Sequence, residues 1–350
     1  MKKINLILFA IATMVLASCS NKVDLYSDDG DSTVVYAMID AAADTNYFKI
    51  THSFIGNVAE LGYNYEANNY SPDEIEVTLK GVFDGASSSQ TIELGTIEKY
   101  IPENDGSPFY NGCMQTYYYT DRKLAEGQEY TLNILRKEDN VNISSQAVTI
   151  NSFRYQKPVT TVPITFTDVT TSINTVEWRV ETAPYKSTAA YFDVNGYFNY
   201  KELQPGSQDT VSYSIVWDLG SGKAEDIYNT STNFPYYVIS YAPANIFTLL
   251  ENDSHLKNNS PAGVKRWFDK FEFKISAIGE ELYNYNLVAN SSSAIQDVPN
   301  YTNIENGVGL MSSRVAKTLK LTISERTRNK IAERFNDLEH NYGFIVDPNR

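Results

Sequence analysis

Beyond residue 32 the chain alternates apolar and polar residues with a period of two, as in Tyr47-Phe48-Lys49-Ile50-Thr51-His52-Ser53-Phe54 and Ile75-Glu76-Val77-Thr78-Leu79, with turn residues between the runs. Side chains two apart share one face of an extended chain, so the pattern predicts half-buried strands in excess of helices. A further strand opens the second half at Thr175-Val176-Glu177-Trp178-Arg179-Val180. Two local readings then compete at Asn195-Gly196. The dipeptide is a strong two-residue hairpin signal. An unbroken strand, however, puts Phe192, Val194, Phe198 and Tyr200 on one face and Asp193, Asn195, Tyr197 and Asn199 on the other. That alternation favours one long hairpin turning at Gln204-Pro205-Gly206-Ser207, with Val211, Tyr213, Ile215 and Trp217 returning on the inner face. Helices are expected over Ala244 to Asn258, Gly279 to Ala289 and Glu325 to Leu338. Ser324 N-caps the last of these, which presents Ile331, Phe335 and Leu338 on one side.

In Leu124-Ala125-Glu126-Gly127-Gln128-Glu129-Tyr130-Thr131-Leu132 the Leu, Gly and Tyr are spaced by three. This resembles the tyrosine corner of fibronectin-type and immunoglobulin-like sandwiches, which implies that the Tyr130 ring fills a core while its hydroxyl bonds back to the main chain. The strand pattern breaks at Phe153-Arg154-Tyr155-Gln156-Lys157-Pro158, and Pro158 and Pro163 bracket a short Val/Thr run. The expected fold is mainly β. It comprises two immunoglobulin/fibronectin-like β-sandwich domains over residues 33–157 and 158–345, with minor helices in the C-terminal part.

At the other end of the chain, Lys2 and Lys3 precede an apolar run from Ile4 to Leu16 that is too short to span a bilayer, the pattern of a signal peptide over residues 1–18. It ends in Leu16-Ala17-Ser18-Cys19, which resembles the bacterial lipobox and implies acylation of Cys19. Two or more acyl chains hold a protein stably to a membrane, so the expectation is an outer-membrane lipoprotein with a short tether over residues 19–32. The first residues after Cys19 are not acidic, so nothing selects the surface face over the periplasmic one. Asp28-Asp29-Gly30-Asp31 lacks the ligand spacing of an EF-hand and reads as solvated tether.

Composition narrows the chemistry. A net charge of -14 over 350 residues disfavours phosphate-backbone binding, so no nucleic-acid partner is expected. Two cysteines and three separated histidines supply neither a disulfide framework nor a zinc site, and acylation of Cys19 leaves Cys113 a free thiol. No P-loop, His-Glu-x-x-His, Gly-x-Ser-x-Gly or dinucleotide fingerprint occurs. No catalytic residue, cofactor or metal is therefore expected.

Late in the chain stand Ile278-Gly279-Glu280-Glu281-Leu282-Tyr283-Asn284-Tyr285 and then Tyr301-Thr302-Asn303-Ile304-Glu305-Asn306-Gly307-Val308-Gly309-Leu310, followed by Ser312-Ser313-Arg314. These resemble the late motif of an uncharacterised family of two-domain Bacteroidota lipoproteins, with a similarity running loosely from the lipobox to about Leu321. The residues themselves read as structural. Asn and Gly supply tight turns, and Glu305 accepts turn amides, so Tyr301, Asn303, Glu305, Asn306 and Gly307 are expected to build the fold. The expected role is a non-catalytic binding or accessory component of a cell-envelope assembly. The partners would be the membrane through the lipid anchor, and another envelope protein or a glycan. A pilus-associated structural subunit and a glycan-active enzyme are the alternatives. The candidate binding face is Asp193, Asn195, Tyr197 and Asn199, where Tyr197 supplies a stacking platform and its neighbours directional hydrogen bonds.

Overall fold

The alternation seen in the sequence becomes strands whose inward rows are sealed. The strand Thr33–Ile39 (β1) buries Thr33, Val35, Ala37 and Ile39, and Ile75–Gly81 (β3) buries every second residue likewise. A computed structural model of the protein describes residues 32–53, 68–101, 113–291, 301–336 and 340–346. The chain continues through Asn46–His52 (β2), Gln90–Glu93 (β4), Gly95–Ile101 (β5), Cys113–Thr120 (β6), Glu129–Arg136 (β7) and Val141–Val148 (β8). The second half holds Phe153–Lys157 (β9), Asn174–Val180 (β10), Tyr191–Leu203 (β11), Thr210–Lys223 (β12), Tyr228–Asn229 (β13) and Tyr236–Tyr241 (β14). Lys265–Ile278 (β15), Val308–Thr322 (β16) and Phe344–Ile345 (β17) complete the strands, with helices at Asn245–Asn252 (α1), Ser254–Asn258 (α2), Glu280–Ser291 (α3) and Glu325–Arg334 (α4). Among the described residues no helix is long and apolar enough to cross a membrane.

The fold is mainly β, built as pairs of facing sheets. One nine-stranded sheet runs β12-β11-β15-β16-β1-β2-β6-β5, with β17 beside β15. A four-stranded sheet, β4-β3-β7-β8, covers its first-half end, and another, β13-β14-β10-β9, covers its second-half end. Each pair encloses its own core. Val35, Phe48, Ile50, Val77, Tyr130 and Ile134 share the first, and Trp178, Phe192, Phe198, Phe271, Phe273 and Leu250 share the second. Each such side chain removed from water contributes about 1.5–3 kcal/mol before ordering costs.

The strand β16 belongs to both. Its residues Val308 to Ser313 run parallel to β1, and Arg314 to Thr322 run antiparallel to β15. Core membership crosses residue 157, the expected boundary between 33–157 and 158–345, in both directions. Ile150 and Phe153 pack into the second core, with β9 pairing β10, because Pro158 follows that strand instead of preceding the new sheet. Conversely, Ile304 and Met311 return to the first core. The Val/Thr run after Pro158 forms no strand; only Ile164 makes a parallel bridge, to Ile323.

The tyrosine corner forms. Tyr130 is fully buried, its hydroxyl donates to the Val82 carbonyl, and it accepts the Ala125 amide at 2.7 Å. The long hairpin also forms, β11 pairing β12 from Tyr191↔Lys223 to Leu203↔Thr210 with Gly206 at φ 82° in the turn. Gly196 sits inside the strand because a Cβ there would lie 2.6 Å from the Phe271 ring. Close packing, and not a turn, requires the glycine. Val211 departs from its expected inward burial, being 51% exposed near the hairpin tip on β12, which ends the sheet. The expected helix over Ala244 to Asn258 is two helices, because Asp253 is extended at ψ 126° and uses its carboxylate to cap Leu256. The last helix starts at Glu325 with Ser324 accepting the Thr327 amide, and buries Ile331. It ends at Arg334 with Phe335 as C-cap; Leu338 lies outside the described residues. So do Cys19 and tether residues 19–31, and nothing is described of the Cys113 side chain.

Parallel approach of β1 and β16 depends on Gly309, which has φ 117° and whose added Cβ would lie 2.1 Å from the Val35 carbonyl oxygen. Gly309→Ala therefore incurs both backbone strain and a main-chain clash. Chemical denaturation should show a loss of more than about 1 kcal/mol. Parent-like stability would mean that the strands do not meet this closely.

Candidate binding face

The hairpin row Asp193, Asn195, Tyr197 and Asn199 projects from β11, one strand in from the β12 edge of the nine-stranded sheet, on the side away from the second core. All four are half-buried by lateral neighbours on β12 and β15, while Phe192, Val194, Phe198 and Tyr200 on the opposite row are buried. The surrounding outer rows are open. Ser214, Val216 and Asp218 on β12 and Ala316, Thr318 and Lys320 on β16 are all exposed. Tyr197 lies in register with Val216 on one side and Glu272 on the other.

This face has polar relief. A depression of about 340 Å³ lies at one end, lined by residues including Asn199, Ser212, Ser214, Glu272 and Lys320. Lys320 Nζ lies 2.9 Å from Glu272 Oε1 across its wall. At the other end Asn195 donates to Asp193. Burial raises the Asp193 carboxyl pKa, and the like charge of Asp218 adds to the rise. The arrangement offers one aromatic ring and several amides, hydroxyls and carboxylates to a polar ligand, which is the chemistry of sugar or protein-surface recognition.

The late motif is occupied with building the first sandwich. Glu305 forms a two-way main-chain bridge with Ser144 on β8, and its carboxylate accepts the Ser144 hydroxyl at 2.9 Å. Its side-chain partner is thus a strand hydroxyl, where turn amides were expected. The Asn303 side chain accepts the Met311 amide at 2.9 Å and donates to the Met311 carbonyl at 2.7 Å, closing the loop that turns into β16. Asn306, at φ 57°, donates to the Asn142 carbonyl at 2.9 Å, and a Cβ on Gly307 would stand 2.8 Å from the Thr33 carbonyl. Tyr301 donates to Glu281 on α3, and burial followed by that carboxylate pushes its pKa up to about 12. Ser312 Oγ accepts the Leu282 amide in the first turn of α3, and Ser313 Oγ donates to Val148. A cleft of about 350 Å³ is left beside these serines, lined in part by Glu129, Glu280 and Glu281.

One polar cluster escaped the sequence reading. Glu202, 1% exposed, accepts Arg266 Nε at 2.7 Å and contacts His255 Nε2 at 2.9 Å. Arg266, fully buried, also donates to Ser260 Oγ and to the carbonyls of Tyr342 and Asn259. Burial opposes the Glu202 charge, but hydrogen bonds from His255, Arg266 and Gln204 outweigh it and hold the carboxyl below its ordinary value. The signal was present: Glu202 continues the inward row of Phe198 and Tyr200, and a charge in that row demands a buried partner. The cluster pins the hairpin, α2 and the C-terminal segment together. His52 stacks on Tyr70 and His340 packs against Phe335, so the three histidines sit in separate places. Among the described residues no group of three or more His, Cys, Asp and Glu side chains is placed to hold a metal ion.

Two outcomes follow for the second core and its open face. Tyr197→Ala, which removes a half-buried ring paired across the sheet with Val216 and Glu272, should cost no more than about 1 kcal/mol. Trp217→Ala, which removes a ring packed against Phe166 and Tyr241, should cost about 3–5 kcal/mol. Melting curves separate the two, and a Tyr197→Ala variant that unfolds as readily as Trp217→Ala would place its ring in the core. Arg266→Met removes the buried cation beside Glu202 and leaves its carboxylate only His255 and Gln204, so it should cost about 3–5 kcal/mol. In the parent the lowered Glu202 pKa makes its contribution full above the ordinary value of 4.5 and lost as pH falls through the folded value. Denaturation at stepped pH should show acid destabilisation that Glu202→Gln flattens.

No protein-family model matches this chain, and no curated protein matches it.

Proposed function

We propose that this protein is an outer-membrane lipoprotein, anchored through Cys19, that works as a non-catalytic binding or accessory component of a cell-envelope assembly. The observation that carries the reading is the open outer face of the second sandwich, where Tyr197 and the Asn199 depression lie on a rigid sheet. Rigid strands hold recognition groups with less ordering cost than loops do. The lipobox-like Leu16-Ala17-Ser18-Cys19 supports the attachment, and the resemblance of Tyr301 to Leu310 and Ser312-Ser313-Arg314 to the Bacteroidota lipoprotein motif supports the same reading. The late motif, whose carboxylate and amides hold β8 and β16, adds support for a structural and not a catalytic use of Glu305. Its ligand on this reading is a glycan or the polar surface of another envelope protein.

Cell fractionation tests the anchor. Cys19→Ala should move the folded protein from the membrane fraction to the soluble one, since the attachment is covalent lipid. Retention of that variant in the membrane would overturn the anchor. Crosslinking in native membranes tests the face: Tyr197→Ala, shown by its melting curve to be folded, should lose the partner or glycan adduct that the parent forms. An adduct unaffected by Tyr197→Ala and Asn199→Ala together would remove the face from the reading.

A further inference from the structure

Among the described residues six strands end the linear orders of the three sheets, the two-residue β17 beside β15 apart, and five of the six are guarded against pairing with another chain. The edge strand β5 carries Glu98 and Lys99, β9 carries Arg154 and Lys157, and β4 is four residues ending in Glu93. The strand β13 has only two residues, and β8 is covered by the Asn303 to Asn306 segment through Ser144 and Ser145. Short length, charge and cover are the devices by which soluble proteins blunt sheet edges.

The sixth is β12. It is 14 residues long and pairs β11 on one side, and among the described residues no strand lies on its other side. From Thr210 to Trp217 it contains no charged residue and no proline, in a chain with 43 acidic and 29 basic residues. Val211 and Val216 are 51% and 54% exposed, one on each face of this edge.

We propose that β12 pairs antiparallel with β12 of a second copy of this chain, about a two-fold axis at Ser214. The stretch is self-complementary. In that register Val211 opposes Trp217, Tyr213 opposes Ile215, Ser212 opposes Val216, Thr210 opposes Asp218, and Ser214 meets itself, so no like charges face each other. The inner-face pairs are apolar and the outer-face pairs are polar or mixed, matching the two sides of the sheet. Main-chain hydrogen bonds supply the attachment, as in strand addition generally. The two-fold axis stands perpendicular to the sheet, so both outer faces point the same way and the two Asn199 depressions flank the junction. The pairing does not rest on the ligand-binding reading.

Directly opposed residues in an antiparallel pair have Cα atoms about 4.5–5.5 Å apart, inside the range a disulfide spans. Ser214→Cys in the full chain, oxidised in intact cells, should give a non-reducing gel band of twice the chain mass. The parent, with Ser214 intact, should not give it. Adding Val211→Lys and Val216→Lys, both exposed positions where lysine leaves the fold intact, should abolish the band. Unchanged melting of the unoxidised variants confirms folding. No doubled band from a folded Ser214→Cys protein, a band of another mass from a different partner, or a doubled band that survives the lysine pair would each overturn the proposal. Loss of ligand binding at Tyr197 would leave the crosslink unchanged, so the two readings fail separately.

Discussion

The structure depends on one strand serving two cores. Val308 to Ser313 of β16 complete the first sandwich beside β1, and Arg314 to Thr322 complete the second beside β15. A strand rises about 3.3 Å per residue, so fifteen residues give β16 the length to cross from one core to the other without a linker. The two halves are thereby joined by main-chain hydrogen bonds in place of a flexible hinge. Val35 and Met311 fill one core, and Phe271 and Leu321 the other. Movement of β16 would disturb both.

This constraint explains the chemistry of the residues leading into β16. The segment must leave the edge of one sheet at Ser144, cross the end of the first sandwich and enter the other sheet beside Val34. Asn303 closes the loop through Met311, Asn306 adopts positive φ, and Gly307 and Gly309 let the chain pass the Thr33 and Val35 carbonyls. Ser312 and Ser313 then turn a strand into a socket, one capping α3 and the other holding Val148. A motif that looks like a carboxylate surrounded by amides is a set of solutions to a crossing problem.

The second sandwich shows a different division of labour along a single strand. On β11 the inward row packs aromatic rings against Trp178, Phe268 and Phe344, and ends in Glu202, whose charge is met by Arg266 and His255. The outward row carries Asp193, Asn195, Tyr197 and Asn199, half-buried beside the exposed rows of β12 and β16. Tyr155 ties the facing sheet to this one, with its hydroxyl 2.7 Å from the Phe273 carbonyl and 2.8 Å from that of Lys317. The platform under the outward row is thus held from beneath by rings and buried hydrogen bonds. A rigid base of this kind is what a recognition surface needs.

Much of this was legible from residue order. Period-two alternation specified the strands, the Leu124, Gly127 and Tyr130 spacing specified the corner, and the clean rows of Phe192 to Tyr200 outweighed the turn signal of Asn195-Gly196. Such features are local, set by side-chain direction and backbone preference over a few residues. Long-range partnership was not legible. That Glu305 would answer Ser144, that Arg266 would sit opposite Glu202, and that one strand would divide itself between β1 and β15 depend on which distant segments meet. Gly196 makes the distinction plain: its identity is visible in the sequence, but its reason is the Phe271 ring, seventy-five residues away and brought near only by the fold. Periodicity tells a residue which way to face, and only the tertiary structure decides what it faces.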